Sequence, residues 1–99
     1  MITINNLEKM KKYYDKRTNT YVFNDNVLFT INIKVKSSIK AWDIKAKNIN
    51  AWNIKAWNIN AWNVKANDIE AYDINANVIK CNSFKKLLNN KENNYDYNQ

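Results

Sequence analysis

Four tryptophans, Trp42, Trp52, Trp57 and Trp62, stand with Tyr72 in a stretch that also carries Lys45, Lys55 and Lys65. Rings interleaved with cations suit surfaces that track nucleic acid, with lysines on phosphates and rings under bases. A second basic group, Lys9, Lys12, Lys16 and Arg17, lies near the N-terminus. Asp68, Glu70 and Asp73 form an acidic cluster, and paired carboxylates are the raw material of acid–base chemistry. Two absences weigh against catalysis: the chain has no His and no Gly. Without His there is no Ser-His or Cys-His nucleophile pair and no imidazole ligand. Without Gly there is no P-loop and no dinucleotide-binding fingerprint, since both bring backbone close to phosphate. The one cysteine, Cys81, rules out an internal disulfide and a Cys-rich zinc site. We therefore expect no catalytic residue, no cofactor, no metal and no enzymatic activity.

What positions these residues is a repeat. Large apolar anchors recur every five residues at Ile39, Ile44, Ile49, Ile54, Ile59, Val64, Ile69, Ile74, Ile79 and Phe84. A small residue follows two places after each of the first nine, from Ala41 through Ala76 to Cys81. Asn or Asp precedes the next anchor at Asp43, Asn48, Asn53, Asn58, Asn63, Asp68 and Asp73. On an α-helix, five residues advance by about 140° net, which would spread the anchors around every face. In a straight strand an odd period sends successive anchors to opposite faces. Both apolar sets reach one core only if the chain turns once per unit, which predicts a solenoid of short β segments. The positions between, including every Trp, then lie outside near the corners.

The unit Ile-x-Ala-x-Asn/Asp over 39–84 resembles the pentapeptide-repeat family, although here the large residue precedes the small one. That resemblance implies a four-sided β-helix with the apolar residues inward. Four units per coil would stack each residue on the one 20 further on, putting Trp42 over Trp62 and Trp52 over Tyr72. Three per coil would stack residues 15 apart, so that Trp42, Trp57 and Tyr72 form one column. The chain has 21 Asn but neither Gly nor Pro, and the recurring Asn/Asp reads as a substitute for glycine at the corners.

The flanks read as caps, which a solenoid needs to cover its open strand edges. Residues 5–17 predict a helix capped by Asn5, with Leu7, Met10, Tyr13 and Tyr14 on one face. Residues 21–35 predict a β-hairpin around Asn24-Asp25-Asn26. Ser83 reads as the cap of a short helix carrying Phe84, Leu87 and Leu88. The expected architecture is mainly β: a short parallel β-helix at 39–84, an N-terminal helix and hairpin cap at 1–38, and a C-terminal cap and tail at 85–99.

The formal charge is +7. The N-terminus lacks the apolar core of a signal peptide and no run is long enough to span a bilayer. We expect a cytoplasmic chain that does not enter membranes. The expected function is binding: a rigid face presented to a macromolecular partner, first a protein. Members of the resembled family dock on enzymes that handle DNA, so the resemblance implies occlusion of a working surface. A phage or mobile-element inhibitor of a host nucleic-acid-processing or defence enzyme would have this style. The alternatives are direct nucleic-acid or polyanion binding through Lys and Trp, carbohydrate stacking on Trp, and a self-assembling homodimer. Against any binding role stands the reading that the rings merely cover the corners.

Overall fold

The computed structural model describes residues 1–86. Short strands, numbered in chain order, stack in three columns, one on each face of a three-sided coil. The first face holds β1 (Ile2–Ile4), β4 (Val27–Phe29), β7 (Asp43–Lys45), β10 (Asn58–Asn60) and β13 (Asp73–Asn75). The second holds β5 (Ile33–Lys34), β8 (Asn48–Asn50), β11 (Asn63–Lys65) and β14 (Val78–Lys80). The third holds β2 (Tyr14–Asp15), β3 (Thr20–Val22), β6 (Ser38–Lys40), β9 (Asn53–Lys55), β12 (Asp68–Ala71) and β15 (Ser83–Lys86). Pairing is parallel except between β2 and β3.

Each regular coil is three five-residue units, so that a residue stacks on the one three units further along. Ile44 pairs with Ile59 and Ile59 with Ile74; Ile49 pairs with Val64, and Ile54 with Ile69. The four-sided coil that the resemblance implies is therefore not formed. Three branched anchors per level fill a triangular section, with an alanine at each corner leaving room for them. From Ile39 to Ile69 every anchor is at most 2% exposed, and Ala41 to Ala71 at most 9%.

The corners need no glycine because their backbone groups are paired between coils. The alanine N–H reaches forward, as from Ala41 to the Lys55 carbonyl and from Ala56 to the Glu70 carbonyl, both at 3.0 Å. The next N–H reaches back, as from Tyr72 to the Trp57 carbonyl at 2.8 Å. Among the described residues only Asn19 has a left-handed backbone, with φ 53°. The Asn/Asp positions are therefore not corner residues. They open the strands, and there their side chains stack. The Asn63 amide donates to Asn48 Oδ1 at 2.6 Å, Asn48 donates to Asn32 at 3.0 Å, and Asn58 donates to Asp43 at 2.9 Å. A residue that both donates and accepts extends such a ladder from coil to coil, which is a use for Asn that Asp alone cannot serve.

The solenoid also begins well before residue 39. Val27 pairs with Ile44, Ile33 with Ile49 and Thr20 with Ser38, so each early coil is longer than the regular ones at these points. The expected hairpin at 21–35 is absent because its two halves join different faces: β3 pairs with β6, and β4 with β1 and β7. The hairpin present lies earlier, between β2 and β3. Its turn is set by Asp15, whose side chain accepts from the Arg17 N–H at 3.0 Å, and by left-handed Asn19.

The predicted helix is shorter and tighter, a 3-10 helix over Leu7–Tyr13, capped by Asn6 rather than Asn5. Its three-residue turn lines Leu7, Met10 and Tyr13 along one side, where Met10 is 1% exposed and Leu7, at the start of the helix, is 52% exposed. Tyr13 follows Met10 by one turn and its ring lies 4.7 Å from Phe23, which meets Phe29 edge-on at 5.8 Å. These contacts close the N-terminal end of the core. At the other end, Ser83 and Phe84 extend β15 as a strand rather than opening a helix, because they continue the third-face ladder against Asp68 and Ile69. Leu87 and Leu88 lie outside the described residues.

Candidate binding surface

The register of three units per coil decides which exposed side chains share a face. It does not gather the four tryptophans. Trp42, Trp57 and Tyr72 form a column at the corner between the third and first faces, shown by N–H donation from Trp57 to Trp42 and from Tyr72 to Trp57. Trp62 stands in a column with Lys47 and Asn77 at the corner between the first and second faces. Trp52 stands with Ser37, Asn67 and Asn82 at the corner between the second and third. Lys45, Lys55 and Lys65 likewise fall on the first, third and second faces respectively. Trp52, Trp57 and Trp62, consecutive in the repeat, therefore cannot act as one platform.

The rings differ in surroundings. Trp42 and Trp57 stack with centroids 5.6 Å apart and planes 9° from parallel. Each covers one face of the other, so this pair supports the corner. One face of the Trp62 ring carries the Lys47 ammonium at 5.3 Å, a cation–π contact. Trp52 is 49% exposed, with only the smaller Ser37 and Asn67 as its neighbours in the column. Trp57→Ala is accordingly expected to destabilise by about 1 kcal/mol through lost stacking. Trp52→Ala is expected to change stability by less than about 0.5 kcal/mol, as for an exposed site. Paired thermal melts check both.

Charge is also divided unevenly. The first face carries Asp43 and Asp73 beside Lys45. The third carries Asp15, Asp68 and Glu70 beside Lys40, Lys55 and Lys85. The second carries Lys34, Lys65 and Lys80, and none of its described strands holds a carboxylate. Lys34 and Lys65 both pair with Asn50, and Lys65 pairs with Lys80, so the three lysines stand in one outward column. Beside it runs the ladder of Asn32, Asn48 and Asn63. A groove of about 540 Å³ lies where this face meets the Trp52 corner, lined by Asn50, Trp52, Lys65, Asn67, Lys80 and Asn82 among others. A second groove of about 490 Å³ runs between Lys40, Lys55 and the Trp42–Trp57–Tyr72 column.

The remaining expected site residues lie elsewhere. Lys9 and Lys12 are on the 3-10 helix, with the Lys12 ammonium 5.3 Å from the Tyr13 ring centre. Lys16 and Arg17 lie in the turn after β2, where Arg17 meets Asp15 at 3.7 Å. Two further ion pairs lie at this capped end: Lys11 with Glu8 at 3.0 Å, and the Met1 ammonium with Asp25 at 3.1 Å. That ammonium and the Asn26 N–H hold the Asp25 carboxyl below its usual range.

The acidic cluster is split. Asp68 and Glu70 are on β12, whereas Asp73 lies beyond the Tyr72 corner on β13. Cys81 takes the small inward place in the last coil and is half-buried; burial, helped by Asp68, pushes its thiol up from the usual range. A raised thiol carries less of the reactive thiolate at neutral pH. Among the described residues, no three His, Cys, Asp or Glu side chains come together as a metal site, and no helix is long and apolar enough to cross a membrane.

Sequence reasoning missed Lys34, Lys47 and Lys80 as members of one surface. The repeat contained the signal for Lys65 and Lys80, which are three units apart. Lys34 escapes it because the coil there is longer, setting Ile33 against Ile49 outside the regular spacing. Compared with known proteins, the chain matches no family model, no curated protein and no solved structure.

Proposed function

We propose that the chain is a non-enzymatic binding protein that presents one rigid solenoid face to a macromolecular partner. The observation that carries this reading is the second face: a lysine column with no carboxylate on its described strands, edged by the half-exposed Trp52 and by the Lys47–Trp62 pair. Interstrand hydrogen bonding fixes the backbone beneath these side chains, so little ordering entropy is lost on docking. Half-exposed tryptophans beside a flat charged surface are the kind of residue that anchors interfaces. The opposed charges of the other two faces would repel an anionic partner at some positions and attract it at others.

The test is capture from a cell lysate on immobilised protein. Wild type is compared with Lys65→Glu/Lys80→Glu and with Lys40→Glu/Lys55→Glu, which reverse equal charge on the second and third faces. Material retained by wild type and by the third-face variant, but lost from the second-face variant, is the expected result. Equal retention by all three would contradict the reading.

A further inference from the structure

Resting on that reading of the second face, we propose that its partner is single-stranded nucleic acid. Lys34, Lys65 and Lys80 would hold phosphates, and Trp52 would stack a base at the edge of the face.

Charge complementarity points to a polyanion. Lys65 and Lys80 occupy directly paired positions in adjacent coils. Neighbouring coils lie about 4.8 Å apart, so two like charges are held side by side with no carboxylate among the described strands between them. The third face pairs Lys40 with Lys55 in the same way, but it sets Glu70 against Lys55 and Lys85 further along its outward column. The described strands of the second face hold no such carboxylate, so this face offers a polyanion the more uniformly positive column. From Lys34 to Lys80 the column spans three coil steps, about 14 Å, a length matched to a few backbone phosphates.

The surroundings favour a single strand over an acidic protein. Trp52 offers a ring face that no aromatic neighbour in its column covers, and the groove beside it is lined by Lys65, Lys80, Asn67 and Asn82. A base stacked on Trp52 would place its phosphate toward the lysines. Asn50 and Asn67 would offer amide donors and acceptors to the exposed base edge. Stacking on one ring does not select a base, so recognition should be tolerant of sequence. A duplex keeps its bases stacked inside and would gain only the lysine contacts.

The test uses fluorescence anisotropy with a labelled 12-nucleotide oligothymidylate and the full chain. Binding is expected to fall with salt with a logarithmic slope of about −2, as three phosphate contacts on a single strand give. Lys65→Glu/Lys80→Glu is expected to weaken binding at least about tenfold and flatten that slope, while Lys40→Glu/Lys55→Glu weakens it less than about threefold. Trp52→Ala is expected to weaken binding about fivefold or more, with Trp57→Ala close to wild type. Circular dichroism confirms that each variant folds; if the Glu pair does not, Lys65→Gln/Lys80→Gln replaces it. Equal losses from both lysine pairs would overturn the proposal, since net charge alone would then explain binding. So would the absence of binding near 0.1 M salt, or binding to a 12-base-pair duplex or polyglutamate as tight as to the single strand. If a protein partner is captured through the second face while the oligonucleotide is not bound, this proposal falls and the reading of the face stands.

Discussion

Phe23→Ala is expected to destabilise the chain by about 3–5 kcal/mol, a large share of the roughly 5–15 kcal/mol that holds a domain folded. The ring is 1% exposed and sits where the cap meets the first coils. It touches Tyr13 at 4.7 Å on the side of the 3-10 helix and Phe29 at 5.8 Å on the side of the first face. Its N–H also donates to the Lys40 carbonyl at 2.8 Å, tying the cap to β6. Truncation would leave a cavity shared by the helix and the coil, and would loosen Met10 and Tyr13 together. Because a solenoid is stabilised by nearest-neighbour contacts, opening the N-terminal end exposes the next coil as well. Urea unfolding should show a much lower midpoint. A midpoint within experimental error of wild type would mean that the cap does not hold the end of the core.

Ile54→Ala is the second large effect, about 2–5 kcal/mol. Ile54 is 1% exposed and lies between Ile39 and Ile69 in the third-face column, at the middle of the stack. Close packing leaves its neighbours little freedom to collapse into the space. The same truncation at Ile79, in the last regular coil, should cost distinctly less, because that side chain is only partly buried. The gradient matters more than either value. Equal costs at the two positions would argue that the last coil is as enclosed as the centre.

Much of this architecture can be read from residues. The inward Ile and Ala follow from the failure of a five-residue period on a helix or a straight strand. The number of sides does not, because stacking by three units or by four preserves the same pattern of types. That choice decides the site: on a four-sided coil Trp42 would stand with Trp62, whereas here it stands with Trp57. The early coils are hidden for a different reason. Val27, Phe29 and Ile33 are as buried as the repeat anchors, but their coils vary in length and carry no alanine at the corners. Alternation across 27–35 imitates a hairpin strand while the chain actually crosses from one face to the next. The recurring Asn misled for a chemical reason. Asn tolerates left-handed turns and also builds amide ladders, and only the strand positions of Asn48 and Asn63 reveal which property is in use.

The lysine surface exists only through the three-unit register of the second face. Engineered disulfides test it directly in a Cys81→Ser background. Asn50→Cys with Lys65→Cys places two thiols on paired residues of adjacent strands, where Cα atoms about 5 Å apart permit a disulfide. Asn50→Cys with Glu70→Cys places them on different faces, although a four-unit register would bring them together. Mild oxidation followed by mass spectrometry should show an intramolecular cross-link in the first pair and free thiols in the second. Cross-linking of the second pair without the first would contradict the three-sided coil, and with it the placing of Lys34, Lys65 and Lys80 on one surface.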